Sequence, residues 1–336
     1  MSQMTDHTEK VARLFIELIQ KDLAPFQRPW SPGQPRHTAN QMPVNGTSGR
    51  GYNGINALYL HMQQLFQNYE SNAWMTFKQA SDMGGKVIKG QKSTLVEYWD
   101  WPKKTAGDAA SNVPSSEAPE EARKGPRVFY AHVFNASQIE GLPERFYAPP
   151  VVMPEAWRHQ EAERLIEASG ALIKHDGGNQ AFYRPMTDSI HLPMPEQFES
   201  RDALLAVKFH EIGHWTGAPH RLNRTFGRFG DEAYAQEELR AEIFSYMISQ
   251  RLDLPHDPER HAGYVKSWVK VVQDDPRAIF KACADAERMC KFLDVEYANA
   301  KVEAFQADQK QESNVLAFPA KEKLELKKQK SRGLAL

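Results

Sequence analysis

Two histidines and a glutamate with the spacing of a metal-binding motif lie in an apolar segment of this 336-residue chain. His210, Glu211 and His214 form the pattern His-Glu-x-x-His, and residues 204–209 before it are mostly apolar. If residues 204–214 form a helix, the two imidazoles lie one turn apart on one face and can bind one Zn²⁺. Glu211, about 100° around the helix from His210, can then act as general base toward the attacking water. The motif therefore predicts a zinc-dependent peptidase.

A zinc site of this kind needs a third protein ligand, which a second predicted helix, residues 235–250, can supply. Its apolar side chains recur at helical spacing: Leu239, Ile243 and Met247. Glu238 and Glu242 lie beside that stripe, where a carboxylate is costly unless it is paired or bound to a metal. We predict Glu238 as the third ligand and Glu242 as the acceptor that orients a ligand histidine through its other ring nitrogen. Glu237 is the alternative ligand, and solvated glutamates on a helix face are the competing interpretation.

The catalytic interpretation also needs a hydrogen-bond donor for the developing oxyanion. Tyr234 and His220 lie in segments from which they could reach the site. A buried structural tyrosine and a surface histidine are the alternatives for these two residues.

Length and composition limit the remaining possibilities. A chain of 336 residues can form two domains, and 41% apolar with 25% charged residues is ordinary for a globular protein. The net charge of -1 indicates neither a strongly basic nucleic-acid binder nor an acidic DNA mimic, so any affinity for DNA must be local. Cys283 and Cys290 are too far apart on a predicted helix to form a disulfide, which indicates a reducing compartment. Because no signal peptide or long apolar segment is recognisable, we expect a cytoplasmic protein without membrane contact.

The elements that must position the site can be predicted from hydrophobic periodicity. Helices are predicted at about residues 11–23, 52–66, 154–168, 263–274 and 276–305, with a further helix beginning at Thr76. Strands are predicted at 94–101 and 127–135, a hairpin-like segment at 84–92, and a small hairpin at 181–184 and 189–192. A strand ahead of the metal-binding helix is a place where a peptide substrate could add by strand pairing.

Composition also divides the chain. Residues 103–126 are rich in Ala, Ser, Pro, Glu and Gly, which predicts a disordered insertion between two strands that pair with each other. The domain boundary is predicted near residue 147, which gives domains at 1–147 and 148–312. Residues 313–336 are predicted to be a flexible basic tail.

Ten short segments support a family assignment. In the amino half they are PW (29–30), RGYNGIN (50–56), WMTFKQA (74–80), GGKVIKGQK (84–92) and VFNASQIEGL (133–142). In the carboxy half they are IHLP (190–193), HEIGHWTG (210–217), RLNR (221–224), YAQEELRAEI (234–243) and AIFK (278–281). With these segments the chain resembles the ArdC-type antirestriction proteins of plasmids and other mobile elements.

The resemblance implies an α+β fold of two domains. The first would be an amino-terminal α/β domain that binds single-stranded DNA, and the second a carboxy-terminal, α-rich, zincin-like metallopeptidase domain of the gluzincin type. It implies metal ligation by His210 and His214, catalysis by Glu211, and a third ligand within residues 238–242. The implied function is protection of incoming DNA from host restriction, with Zn²⁺ or another divalent metal such as Mn²⁺ as cofactor and an unknown protein as substrate.

Two functions of different classes follow from this resemblance. In the enzymatic hypothesis the protein is a metallopeptidase and binds DNA for localisation. In the binding hypothesis it covers single strands and the metal stabilises the fold. Aromatic faces with nearby cations hold single strands by base stacking and charge. The candidates for that role are Arg28, Trp30, Arg50, Tyr52, Trp74, Phe77, Lys78, Lys86, Lys89 and Lys92, with Trp99 and Trp101 as further aromatics. Core packing is the alternative for each aromatic residue.

Overall fold

The structure is a computed structural model that describes residues 3–25, 41–100, 127–148, 153–228, 230–254 and 264–293. The predicted insertion, the predicted tail and three candidate DNA contacts, Arg28, Trp30 and Trp101, lie outside the described residues.

The described helices are α1 (Gln3–Gln20), α2 (Gly54–Phe66), α3 (Phe77–Asp82), α4 (Glu155–Ser169), α5 (Arg201–Trp215), α6 (Glu232–Leu252), α7 (Val265–Asp274) and α8 (Ala278–Phe292). The strands are β1 (Val44–Asn45), β2 (Ala73–Thr76), β3 (Lys86–Val87), β4 (Thr94–Asp100), β5 (Arg127–Asn135), β6 (Ile139–Glu140), β7 (Leu172–Lys174), β8 (Phe182–Arg184) and β9 (Ser189–His191).

The amino half is built on a four-stranded sheet of order β1-β2-β5-β4. The two long strands β4 and β5 pair antiparallel from Thr94 opposite Val133 to Asp100 opposite Arg127, which confirms the predicted pairing across the insertion. Thr76 caps α3 as predicted, because its hydroxyl accepts a hydrogen bond from the Gln79 amide.

The prediction of a local hairpin at residues 84–92 is wrong. β3 pairs antiparallel with β6, a strand more than fifty residues later, with Lys86 opposite Glu140. The segment has the turn glycines of a hairpin, but its partner is distant in sequence and could not be identified from local periodicity.

The carboxy half consists mainly of helices around α5, α6 and α8, with a small sheet of order β7-β9-β8. The predicted hairpin is confirmed, because β8 and β9 are antiparallel neighbours. β7 was not predicted, and it pairs parallel with β9 and leaves β8 at the edge.

The largest apolar core joins the two halves of the chain. Leu18 and Phe15 of α1 and Met62 of α2 belong to the same buried cluster as Phe209 of α5 and Ile243 of α6. The amino-terminal sheet has two smaller clusters of its own. Helices α1 and α2 therefore pack on the carboxy-terminal helices, while the sheet forms a separate layer.

Within the described ranges, every helix is too short or too polar to span a bilayer.

Candidate metal centre

Helix α5 carries the two motif histidines. It begins after Ser200, whose hydroxyl accepts a hydrogen bond from the Ala203 amide at 3.1 Å. Phe209 and Ile212 are fully buried in the core. The imidazoles of His210 and His214 lie on another face with their ring centroids 4.9 Å apart. The i, i+4 spacing thus gives the predicted juxtaposition.

A glycine inside the motif allows α6 to approach α5 closely. A Cβ on Gly213 would lie 2.9 Å from the Phe244 ring and 3.4 Å from the Ala241 backbone, both on α6. Only a glycine fits this contact without displacement. The close approach places Glu238 of α6 beside both histidines.

The possible ligand atoms of three side chains lie close together. The Nε2 atoms of His210 and His214 are 3.2 Å apart. Glu238 places one carboxylate oxygen 3.7 Å from His210 Nε2 and the other 3.5 Å from His214 Nε2. Tetrahedral zinc with ligand bonds of about 2.0 to 2.1 Å separates its ligand atoms by about 3.4 Å. The three side chains thus have the spacing that one tetrahedral ion requires, and they could hold it.

Each histidine has a second carboxylate on its outer ring nitrogen. Glu242 Oε2 lies 3.6 Å from His210 Nδ1, and Glu237 Oε1 lies 3.4 Å from His214 Nδ1. Glu242 lies on the side of His210 where an orienting acceptor was predicted. Glu237 faces the nitrogen directed away from Glu238, so this spacing favours Glu238 over Glu237 as the third ligand. The position of Glu237 beside His214 depends on how α6 is rotated about its axis, so the sequence alone could not predict it.

The electrostatics of this cluster favour positive charge. Burial alone would lower the pKa of His210, but the nearby carboxylates of Glu238 and Glu242 raise it well above the usual value. The pKa of His214 is raised in the same way, mainly by Glu237 against the effect of burial. Burial would raise the pKa of Glu238, but the adjacent His210 ring and the charges of both histidines lower it to about 2. The site therefore stabilises a cation among ionised carboxylates.

Glu211 and the three clustered side chains line a cleft of roughly 680 Å³. Phe182 and Tyr183 of the edge strand β8 form part of the wall. Tyr234 also lines the cleft, and its hydroxyl lies 3.2 Å from that of Tyr264, which was not predicted. Burial raises the pKa of both tyrosines, so both keep their protons at neutral pH.

His220 does not belong to this group. Its ring is exposed and its Nε2 lies 3.3 Å from Asp188 Oδ2, away from the described residues that line the cleft. His220 is only six residues after the motif in the sequence, but the turn after α5 directs it to the surface.

Two candidate DNA contacts are core residues. Trp74 is fully buried and donates a hydrogen bond from Nε1 to Gln64 Oε1 at 2.8 Å, and Tyr52 is only 6% exposed in the same cluster. Neither ring has a free face on which a base could stack. Their prediction as DNA contacts is wrong, because aromatic residues near cations in sequence also build sheet cores.

The remaining described candidates are accessible. Phe77 is 64% exposed. Arg50, Lys78, Lys86, Lys89 and Lys92 are exposed as well. Lys78 forms an ion pair with Asp82 at 3.0 Å. The loop that carries Lys89 and Lys92 is fixed by the buried Gln138, which donates to the Lys92 carbonyl at 2.9 Å.

One accessible aromatic pair was not predicted. Tyr98 and Phe129 are direct cross-strand partners on β4 and β5, and they are 43% and 52% exposed. Exposed Arg127 lies two residues from Phe129, on the same face of the strand. The pairing of β4 with β5 was predictable from the sequence. Which end of these two strands is exposed depends on where the apolar core ends.

Two family models match successive parts of the chain. Residues 5–134 match the family model of the N-terminal domain of anti-restriction factor ArdC, and residues 160–285 match that of zincin-like metallopeptidases.

Among curated proteins, the relatives include two from Escherichia coli that are both named DNA primase TraC. The chain is 44% identical to one over 294 residues and 43% identical to the other over 296 residues, but it spans only 27% and 20% of their lengths. It is 34% identical over 305 residues to the uncharacterized protein y4eC of Sinorhizobium fredii and spans 94% of that protein.

Similar solved structures include the crystal structures of antirestriction ArdC protein from the R388 plasmid, metal-free and Mn(II)-bound. Their TM-scores are 0.66 and 0.65 at 32% sequence identity, and the match covers 85% of this chain and 96% of theirs. The chain therefore belongs to the ArdC-type antirestriction family, with an ArdC amino-terminal domain followed by a zincin-like metallopeptidase domain.

Proposed function

We propose that this protein is a metal-dependent peptidase that also binds single-stranded DNA and protects incoming DNA from host restriction. One observation carries the enzymatic part: His210, His214 and Glu238 lie together in a cleft that Glu211 also lines. The two Nε2 atoms are 3.2 Å apart, and the carboxylate oxygens of Glu238 lie 3.5 and 3.7 Å from them. The separations match those of ligands around one tetrahedral ion. Glu238 is the proposed third ligand, and Glu242 and Glu237 are the proposed orienting carboxylates.

Different side chains of the protein have separate roles in the proposed hydrolysis of a peptide bond. A bound divalent metal supplies Lewis acidity, which polarises a carbonyl and lowers the pKa of water. Glu211 accepts the proton of the attacking water on its carboxylate. Glu237 accepts a hydrogen bond from the outer ring nitrogen of His214, and Glu242 lies 3.6 Å from that of His210, so the two carboxylates orient the two imidazoles. The tyrosine hydroxyls of Tyr234 and Tyr264 can donate to a substrate carbonyl within the cleft.

Zinc is the proposed metal, because two imidazole nitrogens and one carboxylate form a common catalytic zinc ligand set. Mn²⁺ is the alternative, since an ArdC protein of the same family has a Mn(II)-bound structure. Cleavage of fluorescein-labelled casein by the chain loaded with each metal in turn distinguishes them, because zinc binds more tightly than Mn²⁺ to most nitrogen and oxygen sites whichever ion the protein uses.

The exposed side chains of the amino half support single-stranded DNA as the nucleic-acid partner. Phe77, Tyr98 and Phe129 present accessible rings, and Lys86, Lys89 and Lys92 supply charge. Base stacking on such rings contributes about 1 to 3 kcal/mol per base and needs unpaired bases. We expect the full chain to prefer single strands to duplex and to lose affinity as salt rises. Equal affinity for both forms would contradict this part of the proposal.

The test of the enzymatic part is Glu211→Gln, compared with the matched control Glu196→Gln at an exposed position. Cleavage of fluorescein-labelled casein, with and without single-stranded DNA, is measured on the zinc-loaded full chain. Glu211→Gln is expected to abolish cleavage and retain zinc and DNA binding, because this carboxylate acts on water rather than on the metal. Cleavage that persists at the wild-type rate in Glu211→Gln contradicts the proposed role.

A transformation assay with unmodified DNA in a restricting host separates the two routes to protection. If Glu211→Gln loses protection, cleavage of a protein substrate is the mechanism. If Glu211→Gln protects while Phe77→Ala with Lys89→Ala does not, coverage of the strand is the mechanism and the peptidase acts elsewhere.

A further inference from the structure

Arg224 connects the end of helix α5 with the acidic side chain behind His214. We propose that Arg224 is a positioning residue of the metal centre: it fixes Glu237 against the outer nitrogen of His214. This inference rests on the proposed function, because it concerns the ligand histidine of the same site. It assigns a role to a residue of the RLNR segment that the catalytic proposal does not use.

The guanidinium of Arg224 makes four hydrogen bonds. Nε and Nη2 donate to the two carboxylate oxygens of Glu237 at 3.1 and 2.8 Å, a bidentate fork. Nη1 donates to Thr216 Oγ1 at 2.9 Å, and Nη2 also donates to the Gly213 carbonyl at 2.6 Å. The side chains of Arg224 and Glu237 are 6% and 2% exposed. The fork therefore ties Glu237 of α6 to the last turn of α5.

The chain after α5 is folded to deliver this side chain. Backbone hydrogen bonds join Leu222 to Thr216, Asn223 to Ala218 and Arg224 to Gly217 at 2.9 to 3.0 Å. Asn223 has a φ of 48°, in the left-handed region that asparagine tolerates well. A Cβ on Gly217 would lie 2.9 Å from Arg224 Nη2, so the glycine leaves the space that the guanidinium fills.

The fork determines which way the Glu237 carboxylate faces. A free glutamate on a helix can rotate about three bonds, whereas a carboxylate held by two parallel N–H donors keeps one plane. Glu237 Oε1 then remains 3.4 Å from His214 Nδ1. An acceptor fixed at Nδ1 keeps the proton on that nitrogen and leaves Nε2 for the metal.

Arg221 provides a matched control in the same loop. Its side chain is 7% exposed, and it donates to Asp188 and to the Trp215 carbonyl at 2.7 Å. Its hydrogen bonds therefore stabilise the loop without contacting Glu237. Arg221→Met and Arg224→Met each remove one buried guanidinium, so a difference between them reports on the metal centre rather than on the loop.

The experiment measures zinc dissociation constants of full-length variants by competition with a chromophoric chelator, with circular dichroism as the check of folding. We expect Arg224→Met to weaken zinc binding by about ten- to a hundredfold, as loss of an orienting partner does. We expect Arg221→Met to remain within about threefold of wild type. Because Arg224 acts through Glu237, the double variant Arg224→Met/Glu237→Gln should bind zinc no more weakly than Glu237→Gln alone.

The inference would be overturned if the zinc affinity of Arg224→Met stayed within about threefold of wild type, or if Arg224→Met and Arg221→Met lost equal zinc affinity. It would also be overturned if the losses of zinc affinity caused by Arg224→Met and Glu237→Gln multiplied in the double variant. If Arg224→Met does not fold, Arg224→Lys replaces it, because lysine keeps the positive charge but cannot form the bidentate fork with Glu237. Arg224→Lys with wild-type zinc affinity would count against the inference. Zinc binding and casein cleavage by the wild-type chain test the proposed function separately.

Discussion

At the residue scale, the sequence predicted the histidine pair because i, i+4 neighbours on a helix are fixed by local geometry. It could not decide the roles of Glu237, Glu238 and Glu242 by spacing alone. Their separate directions depend on how α6 is rotated against α5, and that rotation follows from the close contact at Gly213. The structure places Glu238 on the side of both Nε2 atoms and the other two glutamates behind the rings.

This arrangement predicts a ranking of metal affinities. Glu238→Ala removes a proposed ligand and is expected to weaken zinc binding by more than about a hundredfold. Glu242→Ala removes an orienting acceptor and is expected to cost about ten- to a hundredfold. Metal analysis after dialysis against zinc at a fixed free concentration measures both. The reverse order would exchange the proposed roles of the two residues.

At the element scale, periodicity predicted the helices and the paired strands β4 and β5, because those signals lie within each segment. The pairing of β3 with β6 and the addition of β7 depend on contacts between distant segments. The burial of Trp74 could not be predicted without the sheet, because the same side chain could contact DNA if its strand faced solvent. Local sequence patterns thus predicted the helices and the two long strands, whereas the faces that these elements bury could be identified only from the tertiary structure.

Asp188, in the turn between β8 and β9, forms an ion pair with Arg221, which predicts that the stability of the fold depends on pH. A hydrogen bond from Arg221 lowers the pKa of Asp188 from 3.8 to about 2, with a further lowering by Tyr183 and opposition from burial. A depressed carboxyl pKa stabilises the fold above the unfolded-state value, and that stability is lost as the pH falls toward the folded value. Asp188→Asn is therefore expected to lower the free energy of unfolding at pH 7 by about 1 kcal/mol, after allowance for its 39% exposed side chain.

The measurement is urea unfolding of Asp188→Asn and wild type between pH 7 and pH 3, with Asp82→Asn at an exposed helical ion pair as control. The difference for Asp188→Asn should shrink below about pH 4. A difference that stays constant down to pH 3 would show that the interaction does not depend on the charge of Asp188.

At the scale of the whole molecule, the shared core predicts how the two halves fold. A fragment of residues 1–147 retains the amino-terminal sheet but exposes the faces of α1 and α2 that pack on α5 to α8. We expect this fragment to bind a hydrophobic dye and to unfold at lower urea concentration than the full chain, because buried apolar area contributes roughly 25 cal/mol per Å². A fragment that unfolds cooperatively without dye binding would show that the sheet suffices as a core.

Helix α2 contacts both of the proposed functional regions. The Asn56 side-chain amide donates to the Glu97 carbonyl on β4 at 2.7 Å, next to Tyr98 on the same strand. One turn further on, His61 Nδ1 lies 2.6 Å from the Tyr246 hydroxyl on α6, the helix that carries Glu238. If binding of DNA at the sheet shifts α2, the contact with Tyr246 would pass that shift to α6. By thermodynamic reciprocity, single-stranded DNA and zinc should then alter each other's affinity by the same factor, and Tyr246→Phe should bring that factor closer to one.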